Sequence, residues 1–168
     1  MKKKKNHSKR KRLIILISTV VAVTILLAFL FFRGLKTSAI HYDAQAVKYE
    51  AKIKKPENLP INSITFPGFR DIAIQEGDKV LYIALVNPSF NKADIQFKVT
   101  LNDRTTPILT TGLVKPGQAV TEVPLPKELP VGEHTVKLEM FGYTQDEVQQ
   151  RLTGSQTTFK LQVLKNKP

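Results

Sequence analysis

The sequence predicts an all-β domain, built from two packed antiparallel sheets and preceded by a single N-terminal transmembrane helix. Three observations predict this class. An uncharged run of 20 residues follows a strongly basic N-terminus, apolar and polar residues alternate with a period of two along much of the chain, and turn residues interrupt that alternation at short intervals. Because no cysteine occurs among the 168 residues, the stability of such a domain has to come from a hydrophobic core.

The transmembrane prediction rests on Leu13–Phe32, which contains no charged residue. At about 1.5 Å of rise per residue, this run would cross the roughly 30 Å hydrocarbon core of a bilayer as a helix. Residues 1–12 form a basic head that would keep the N-terminus in the cytoplasm, place the rest of the chain outside and attract anionic lipid. The basic residues of this head are Lys2, Lys3, Lys4, Lys5, Lys9, Arg10, Lys11 and Arg12.

The N-terminal segment is open to a second interpretation, a cleaved secretory signal. Such signals have an apolar stretch of about 7 to 15 residues and a small-residue cleavage site soon after it. The run in this chain is longer, and a sequence of the right form, Ala44-Gln45-Ala46, lies well downstream of it. A retained single-pass anchor in the cell membrane is therefore the favoured prediction, and a domain released by cleavage is the alternative.

Residues 33–60 are predicted to form a stalk between membrane and domain. Within the stalk, Val47–Lys54 alternates apolar and charged residues, which favours a strand, although the apolar residues also fit helical spacing. Pro56 then interrupts regular structure, because proline cannot donate a backbone hydrogen bond. The compact domain is predicted over residues 61–164, which leaves residues 165–168 as a tail.

The domain is predicted to contain eight strands, each with one apolar face. They cover Ile61–Phe66, Asp71–Gln75, Lys79–Val86, Ala93–Leu101, Ile108–Val114, Ala119–Val123, His134–Phe141 and Thr157–Leu164. Lys79–Val86 is the most apolar of them, which indicates a central strand covered on both faces. Because each apolar face needs a second sheet to cover it, the predicted architecture is an immunoglobulin-like antiparallel β-sandwich.

One segment departs from the strand pattern. Between Gly142 and Gly154, Thr144 and Glu147 could form a capping box, and Val148 and Leu152 would share one face of a short helix. A long loop on a rigid sandwich is a common place for a binding site. The alternative is a solvated connector that tucks the two apolar side chains under the sheet.

Charge and composition argue against several classes of function. The net charge of +12 is concentrated before residue 56, and residues 56–164 carry ten basic against twelve acidic side chains, so we predict no nucleic-acid partner. The three histidines are widely separated in sequence and no nucleophile motif occurs, so we predict no enzymatic activity and no small-molecule substrate.

No metal or other cofactor is predicted either. Asp71, Glu76 and Asp78 surround a glycine turn and offer the oxygen ligands that Ca²⁺ prefers. These acids lack the spacing of a known calcium loop, and acidic residues beside a glycine turn are usually solvated. We therefore expect these acids to be solvated.

Four short motifs carry a family resemblance. They are Phe66-Pro67-Gly68-Phe69, Leu85-Val86-Asn87-Pro88 with Asn91 following, Thr111–Gly117 and Leu129–Thr135. With these turn and strand motifs, the chain resembles small membrane-anchored or secreted proteins of Gram-positive bacteria whose outer part is an immunoglobulin-like sandwich, and which are often encoded among mobile-element genes. The resemblance implies a fold and no catalytic residue.

These observations together predict a non-enzymatic, membrane-anchored module that binds a protein partner, and the resemblance suggests a surface or conjugation apparatus as its setting. The residues predicted to contact the partner are Phe69, Phe90, Tyr143, Asp146 and Gln149. The alternative is binding to a wall polymer or lipid surface through the lysines of the stalk, which salt would weaken. The oligomeric state is left open.

Overall fold

The computed structural model describes residues 14–27, 29, 40–60 and 63–166. The chain divides into two compact units, residues 1–38 and 39–168. The first unit contains one described helix, α1, whose described residues are 14–27 and 29. Hydroxyl groups of Ser18, Thr19 and Thr24 donate hydrogen bonds to carbonyls one turn earlier along this helix.

The predicted transmembrane anchor is not confirmed. Among the described residues, no helix is both long and apolar enough to cross a membrane. The prediction of a single-pass anchor, with a cytoplasmic N-terminus and an external domain, is therefore wrong. The predicted basic head, residues 1–12, lies outside the described residues.

The second unit is all-β and contains two sheets, as predicted. Its strands are β1 (Val47–Lys48), β2 (Ile72–Gln75), β3 (Val80–Asn87), β4 (Asp94–Leu101), β5 (Leu109–Thr110), β6 (Gln118–Pro124), β7 (Gly132–Tyr143) and β8 (Arg151–Leu164). One sheet has the order β1-β6-β3 and the other the order β2-β8-β7-β4-β5. The pairing is antiparallel except between β2 and β8, which run parallel, so the prediction of wholly antiparallel sheets is wrong at that edge.

The two sheets enclose one hydrophobic core. On β4 the buried hydrophobic residues are Ile95, Phe97, Val99 and Leu101, as the alternation predicts, and the polar residues Asp94 and Thr100 are buried as well. From the three-stranded sheet the core receives Leu81, Leu85, Val120 and Val123. Burying one such side chain completely is worth about 1.5–3 kcal/mol relative to leaving it in water, so these alternating positions determine which face of each strand points inward.

β3 does not have the central position that its apolar sequence predicts. It is the last strand of its sheet, with β6 as its neighbour, and a bulge lies between Tyr82 and Leu85. Tyr82 is 74% exposed on this strand. Ile83 and Ala84 line a groove of about 500 Å³ together with the loop segments 49–53 and 67–70 and with Ile72 of β2.

Three further strand predictions fail in part. Of the strand predicted over Ile108–Val114, only β5 (Leu109–Thr110) forms, and Leu113 and Val114 make isolated bridges. Residues 63–66 form no strand, and instead Asn91 holds Thr65 by two hydrogen bonds of 2.9 Å, one to its amide and one to its carbonyl. Positions 61 and 62 lie outside the described residues. The strand predicted over Val47–Lys54 is reduced to β1, because only its first two residues pair with β6.

The helix predicted between Gly142 and Gly154 is wrong. β7 continues to Tyr143, β8 begins at Arg151, and residues 144–150 connect the two strands as a loop. Thr144 Oγ1 does not cap a helix, because it donates a hydrogen bond to Asp146 Oδ1 at 2.6 Å. A short polar side chain that bonds locally in this way competes with helix formation.

Candidate functional site

The loop between β7 and β8 is held in one conformation by its own polar groups. Asp146 Oδ1 accepts hydrogen bonds from the Thr144 hydroxyl at 2.6 Å and from the Gln149 amide at 2.9 Å. The Gln150 amide donates to Thr144 Oγ1, and the Thr144 amide donates to the Gln150 carbonyl, which closes the base of the loop. The hydrogen bond from Thr144, followed by that from Gln149, lowers the pKa of Asp146, so this carboxylate stays ionised at neutral pH.

The tip of this loop presents apolar side chains to solvent. Val148 is 78% exposed, and Leu152, at the start of β8, is exposed as well. The alternative in which both tuck under the sheet is therefore wrong. An apolar side chain in water gains free energy when a partner covers it, at about 25 cal/mol per Å². Because the loop is already ordered, binding would cost little additional conformational entropy.

Two side-chain contacts attach the loop to the rest of the domain. Gln145 Nε2 donates a hydrogen bond of 2.9 Å to Asp94 Oδ1 at the start of β4. The Ile40 amide donates one of 2.7 Å to Gln149 Oε1. The loop is thus fixed at one point to the five-stranded sheet and at another to residues that were predicted to belong to a stalk.

Residues 40–43 run alongside the chain that follows β5. The Leu113 amide donates to the His41 carbonyl at 2.9 Å, the Asp43 amide donates to the Leu113 carbonyl at 3.0 Å, and the Gly112 amide donates to Asp43 Oδ2 at 2.7 Å. Gly112 lies so close that an added Cβ would stand 2.6 Å from the His41 carbonyl oxygen. This part of the predicted stalk therefore packs as an additional edge of the five-stranded sheet.

Asp94, which accepts the hydrogen bond from Gln145, is a buried carboxylate. Its side chain is 0% exposed, and its position on β4 pairs with Tyr143 on β7. Oδ1 accepts the hydrogen bond from Gln145, whereas Oδ2 has no hydrogen-bond partner in the described part of the chain. Buried polar atoms are almost always paired, because an unpaired one costs about 1–3 kcal/mol.

Tyr42 lies beside Asp94. Loss of hydration raises the pKa of the Tyr42 phenol, and the negative charge of Asp94 and a side-chain hydrogen-bonding contact with this carboxylate raise it further. The Tyr42 hydroxyl therefore lies within reach of Asp94, although Oδ2 has no hydrogen bond of good geometry. On its ring face, Tyr42 carries the ammonium group of Lys115, with Nζ 4.2 Å from the ring centroid. We call residues 40–43, 94, 115 and 143–152 the loop-end surface.

The Asp94→Asn variant is expected to bring the pKa of Tyr42 back towards its ordinary value of about 10, because the neighbouring negative charge is removed. NMR titration with ring-labelled tyrosine measures this pKa. A raised pKa favours the neutral phenol in the folded state, so the corresponding stability is complete below about pH 10 and is lost as Tyr42 ionises at higher pH. Asp103→Asn, on an exposed turn, is the control. An unchanged pKa in Asp94→Asn would contradict the assigned interaction.

The structure brings together three of the five residues predicted to contact a partner. Tyr143, Asp146 and Gln149 belong to the loop-end surface, although Tyr143 is buried and Gln149 half-buried. Phe69 lies elsewhere and stacks on Phe159, with 5.9 Å between ring centroids, so it contributes to packing. Phe90 is half-buried in a separate cavity lined by residues 48–51.

Two carboxylates of the acidic grouping near Gly77 accept hydrogen bonds from backbone amides. Asp71 Oδ1 accepts a hydrogen bond from the Lys160 amide at 2.7 Å, and Asp78 Oδ2 accepts one from the Gln75 amide at 2.9 Å. Within residues 14–27, 29, 40–60 and 63–166, no three His, Cys, Asp or Glu side chains are placed to share a metal ion. These carboxylates therefore stabilise turns and strand edges.

No family model, curated protein or solved structure matches this chain.

Proposed function

We propose that the second unit is a non-enzymatic, immunoglobulin-like interaction module that binds a protein partner through the loop-end surface. The observation that carries this proposal is Val148, an apolar side chain 78% exposed at the tip of a loop fixed by hydrogen bonds. Protein interfaces are centred on such apolar anchors within a polar rim, and Asp146, Glu147 and Gln150 supply polar groups around Val148.

The immunoglobulin-like assignment is supported by the architecture. Two sheets of three and five strands share one core, and the β7–β8 hairpin is the longest pairing in the domain. The turn motifs that resemble bacterial sandwich modules add support. In sandwiches of this kind the loops at the ends of the sheets often bind, because a rigid scaffold positions them.

A non-enzymatic role is supported by the contacts of the residues that could act as acids or bases. Both ring nitrogens of His134 have partners, since Nε2 contacts the Pro130 carbonyl at 2.7 Å and Nδ1 contacts Asn102 at 3.1 Å. His41 contributes its backbone carbonyl to the pairing with Leu113. Asp94 is a fully buried carboxylate, and neither His41 nor His134 is among its hydrogen-bond partners.

The Val148→Asp variant is expected to reduce partner recovery at least about tenfold, because a charge at the centre of an apolar contact costs more than about 1.4 kcal/mol. Cells that express tagged full-length chain are cross-linked, the chain is purified under denaturing conditions, and quantitative mass spectrometry compares the recovered proteins. The matched control is Val131→Asp, since Val131 is also an exposed valine and precedes β7 at the other end of that strand.

The proposal requires a set of proteins that depends on Val148 and not on Val131. If both variants recover the same proteins in the same amounts as the unchanged chain, the loop-end surface is not the binding site. Circular dichroism and urea unfolding of both variants would show that neither substitution acts by unfolding the domain.

A further inference from the structure

We propose that β8 pairs with β8 of a second copy of this chain along residues 154–158, which we call the open edge. The two strands would run antiparallel and join two five-stranded sheets into one continuous sheet. The open edge lies outside the loop-end surface, so the pairing is independent of the function proposed above. Three features support it: the direction of the backbone groups of β8, the exposure of the open edge and its lack of charge.

Alternate residues of β8 point their backbone groups away from β7. In a paired strand, the amide and the carbonyl of one residue point to the same side, and those of the next residue point to the opposite side. The Lys160 amide donates a hydrogen bond of 2.7 Å to Asp71 Oδ1, and the Leu164 carbonyl accepts one of 2.8 Å from the Glu76 amide. The even-numbered residues of β8 therefore face away from β7.

The same orientation extends to the open edge. The register between β7 and β8 is regular from residue 163 back to residue 154, so Gly154, Gln156 and Thr158 also face away from β7. All three residues are exposed, and β2 pairs with β8 only at residues 161–164. In the described part of the chain, none of these three amides donates a hydrogen bond. The open edge thus presents three donors and three acceptors to solvent.

The other edge strands of the two sheets are short or interrupted. β1, β2 and β5 have two to four residues each, and β3 carries a bulge. Proteins commonly protect edge strands in these ways, or with proline and lysine, against pairing with other molecules. Within residues 154–158 there is no proline, no lysine and no bulge. An added strand therefore meets little obstruction at the open edge.

The two ends of the open edge determine how far the pairing extends. At one end, the Asp71 side chain already occupies the Lys160 amide. At the other end, β8 has one extra residue between Arg151 and Gly154, because its register against β7 shifts there. A bulge of this kind bends a strand. Each copy of β8 can therefore turn away before it meets Asp71 of the second copy.

A second copy of β8 matches the open edge residue by residue. In an antiparallel pairing centred on Gln156, Gly154 stands opposite Thr158, and all six outward backbone groups of each copy have a partner on the other. Gly154 has no side chain, which leaves room for the threonine opposite. Ser155 stands opposite Thr157, and hydroxyl pairs of this kind stabilise neighbouring strands.

Charge permits this pairing and favours a second copy as the partner. Residues 152–159 contain no charged side chain, so the pairing places no like charges directly opposite each other. An uncharged edge does not attract a strongly charged peptide, whereas a second copy supplies a strand that is both uncharged and exposed. Residues 39–168 contain 16 basic and 14 acidic side chains, so two copies of this unit repel each other little.

Gln156→Cys tests the register directly, because the chain has no other cysteine. Residues directly opposite in a hydrogen-bonded antiparallel pair have Cα atoms about 5.5 Å apart, within the roughly 4.4–6.8 Å that a disulfide spans. Mild oxidation of the full-length chain should give a disulfide-linked dimer at least tenfold faster than in Gln45→Cys, on non-reducing electrophoresis. Gln45 is also an exposed glutamine, and it lies outside β8.

Gln156→Pro and Gln156→Lys should each weaken self-association at least tenfold, measured by sedimentation of the full-length chain over a concentration series. Proline removes an amide that faces away from β7, so the hydrogen bonds between β7 and β8 remain. Lysine places two like charges opposite each other at the centre of the pairing. Gln45→Lys should associate like the unchanged chain, and urea unfolding identifies any variant that loses its fold.

Monomers throughout the concentration series would overturn the pairing. A dimer that persists undiminished in both folded Gln156 variants would overturn it as well, because it would form through another surface. If the chain stays monomeric and Gln156→Lys loses a cross-linked protein, the open edge binds that protein and not a second copy. A dimer that is kept in Val148→Asp while that variant recovers every partner supports the pairing and contradicts only the function proposed above.

Discussion

Replacing Asn87 with alanine is expected to destabilise the second unit by roughly 2–4 kcal/mol. Asn87 is fully buried. Its Nδ2 donates hydrogen bonds of 2.9 Å to the carbonyls of Ala93 and Val114, and its Oδ1 accepts one of 2.8 Å from Asn91. The substitution removes all three bonds at once, and the buried Ala93 carbonyl loses the side-chain donor that satisfies it.

The expected loss of stability is smaller than the cost of leaving three buried groups without a hydrogen bond, because the Val114 carbonyl and the Asn91 side-chain amide keep other partners. The Val114 carbonyl still accepts from the Ile95 amide at 3.0 Å, and Asn91 Nδ2 still donates to the Thr65 carbonyl. Urea unfolding measures the change, with Asn166→Ala as a control, since Asn166 is an exposed asparagine that donates one hydrogen bond to Glu76. A midpoint shift no larger than that of the control would contradict the role assigned to Asn87.

The alternation of apolar residues was sufficient to predict the strands of the core. Along residues 95–101 of β4 and 136–140 of β7 the hydrophobic core residues occupy every second position, because side chains on a strand point alternately to the two faces. Gly117 lies in the turn before β6 with a φ of 77°, a conformation that glycine adopts readily.

Asp94 could not be predicted as a buried group, because its place in the alternation belongs to the polar face of β4. It is buried through contacts that are remote in sequence, with Tyr42 and with Gln145, which lies 51 residues further along. A period-two pattern reports which face a residue occupies, but it does not report which loops cover that face. For the same reason, Tyr42 was assigned to a stalk.

The apolar segment Lys79–Val86 shows how covering by loops can imitate a central strand. A strand covered on both faces has a continuous apolar sequence wherever it lies in its sheet. Here residues 49–53, 67–70 and Ile72 line a groove with Ile83, Ala84 and Val86, which partly shields the apolar side chains of β3 while it remains an edge strand.

Replacing Gly112 with alanine is expected to destabilise the second unit by about 1–3 kcal/mol, because overpacking against atoms that cannot move aside carries a cost of this size. A Cβ at this position would stand 2.6 Å from the His41 carbonyl oxygen, 2.7 Å from the Asp43 amide nitrogen and 2.9 Å from the Asp43 Cα. All three are backbone atoms, so relief requires residues 40–43 to move away and to weaken the hydrogen bond from Gly112 to Asp43.

The consequence extends to the loop-end surface, because the moving segment carries both Tyr42 and the Ile40 amide that holds Gln149. Amide exchange at Leu113, which donates to the His41 carbonyl, should therefore accelerate along with the loss of stability in urea. Gly68→Ala is the matched control, since a Cβ there meets nothing within 4 Å. If the two alanine variants share one unfolding midpoint and one exchange rate at Leu113, residues 40–43 do not pack against Gly112 in solution.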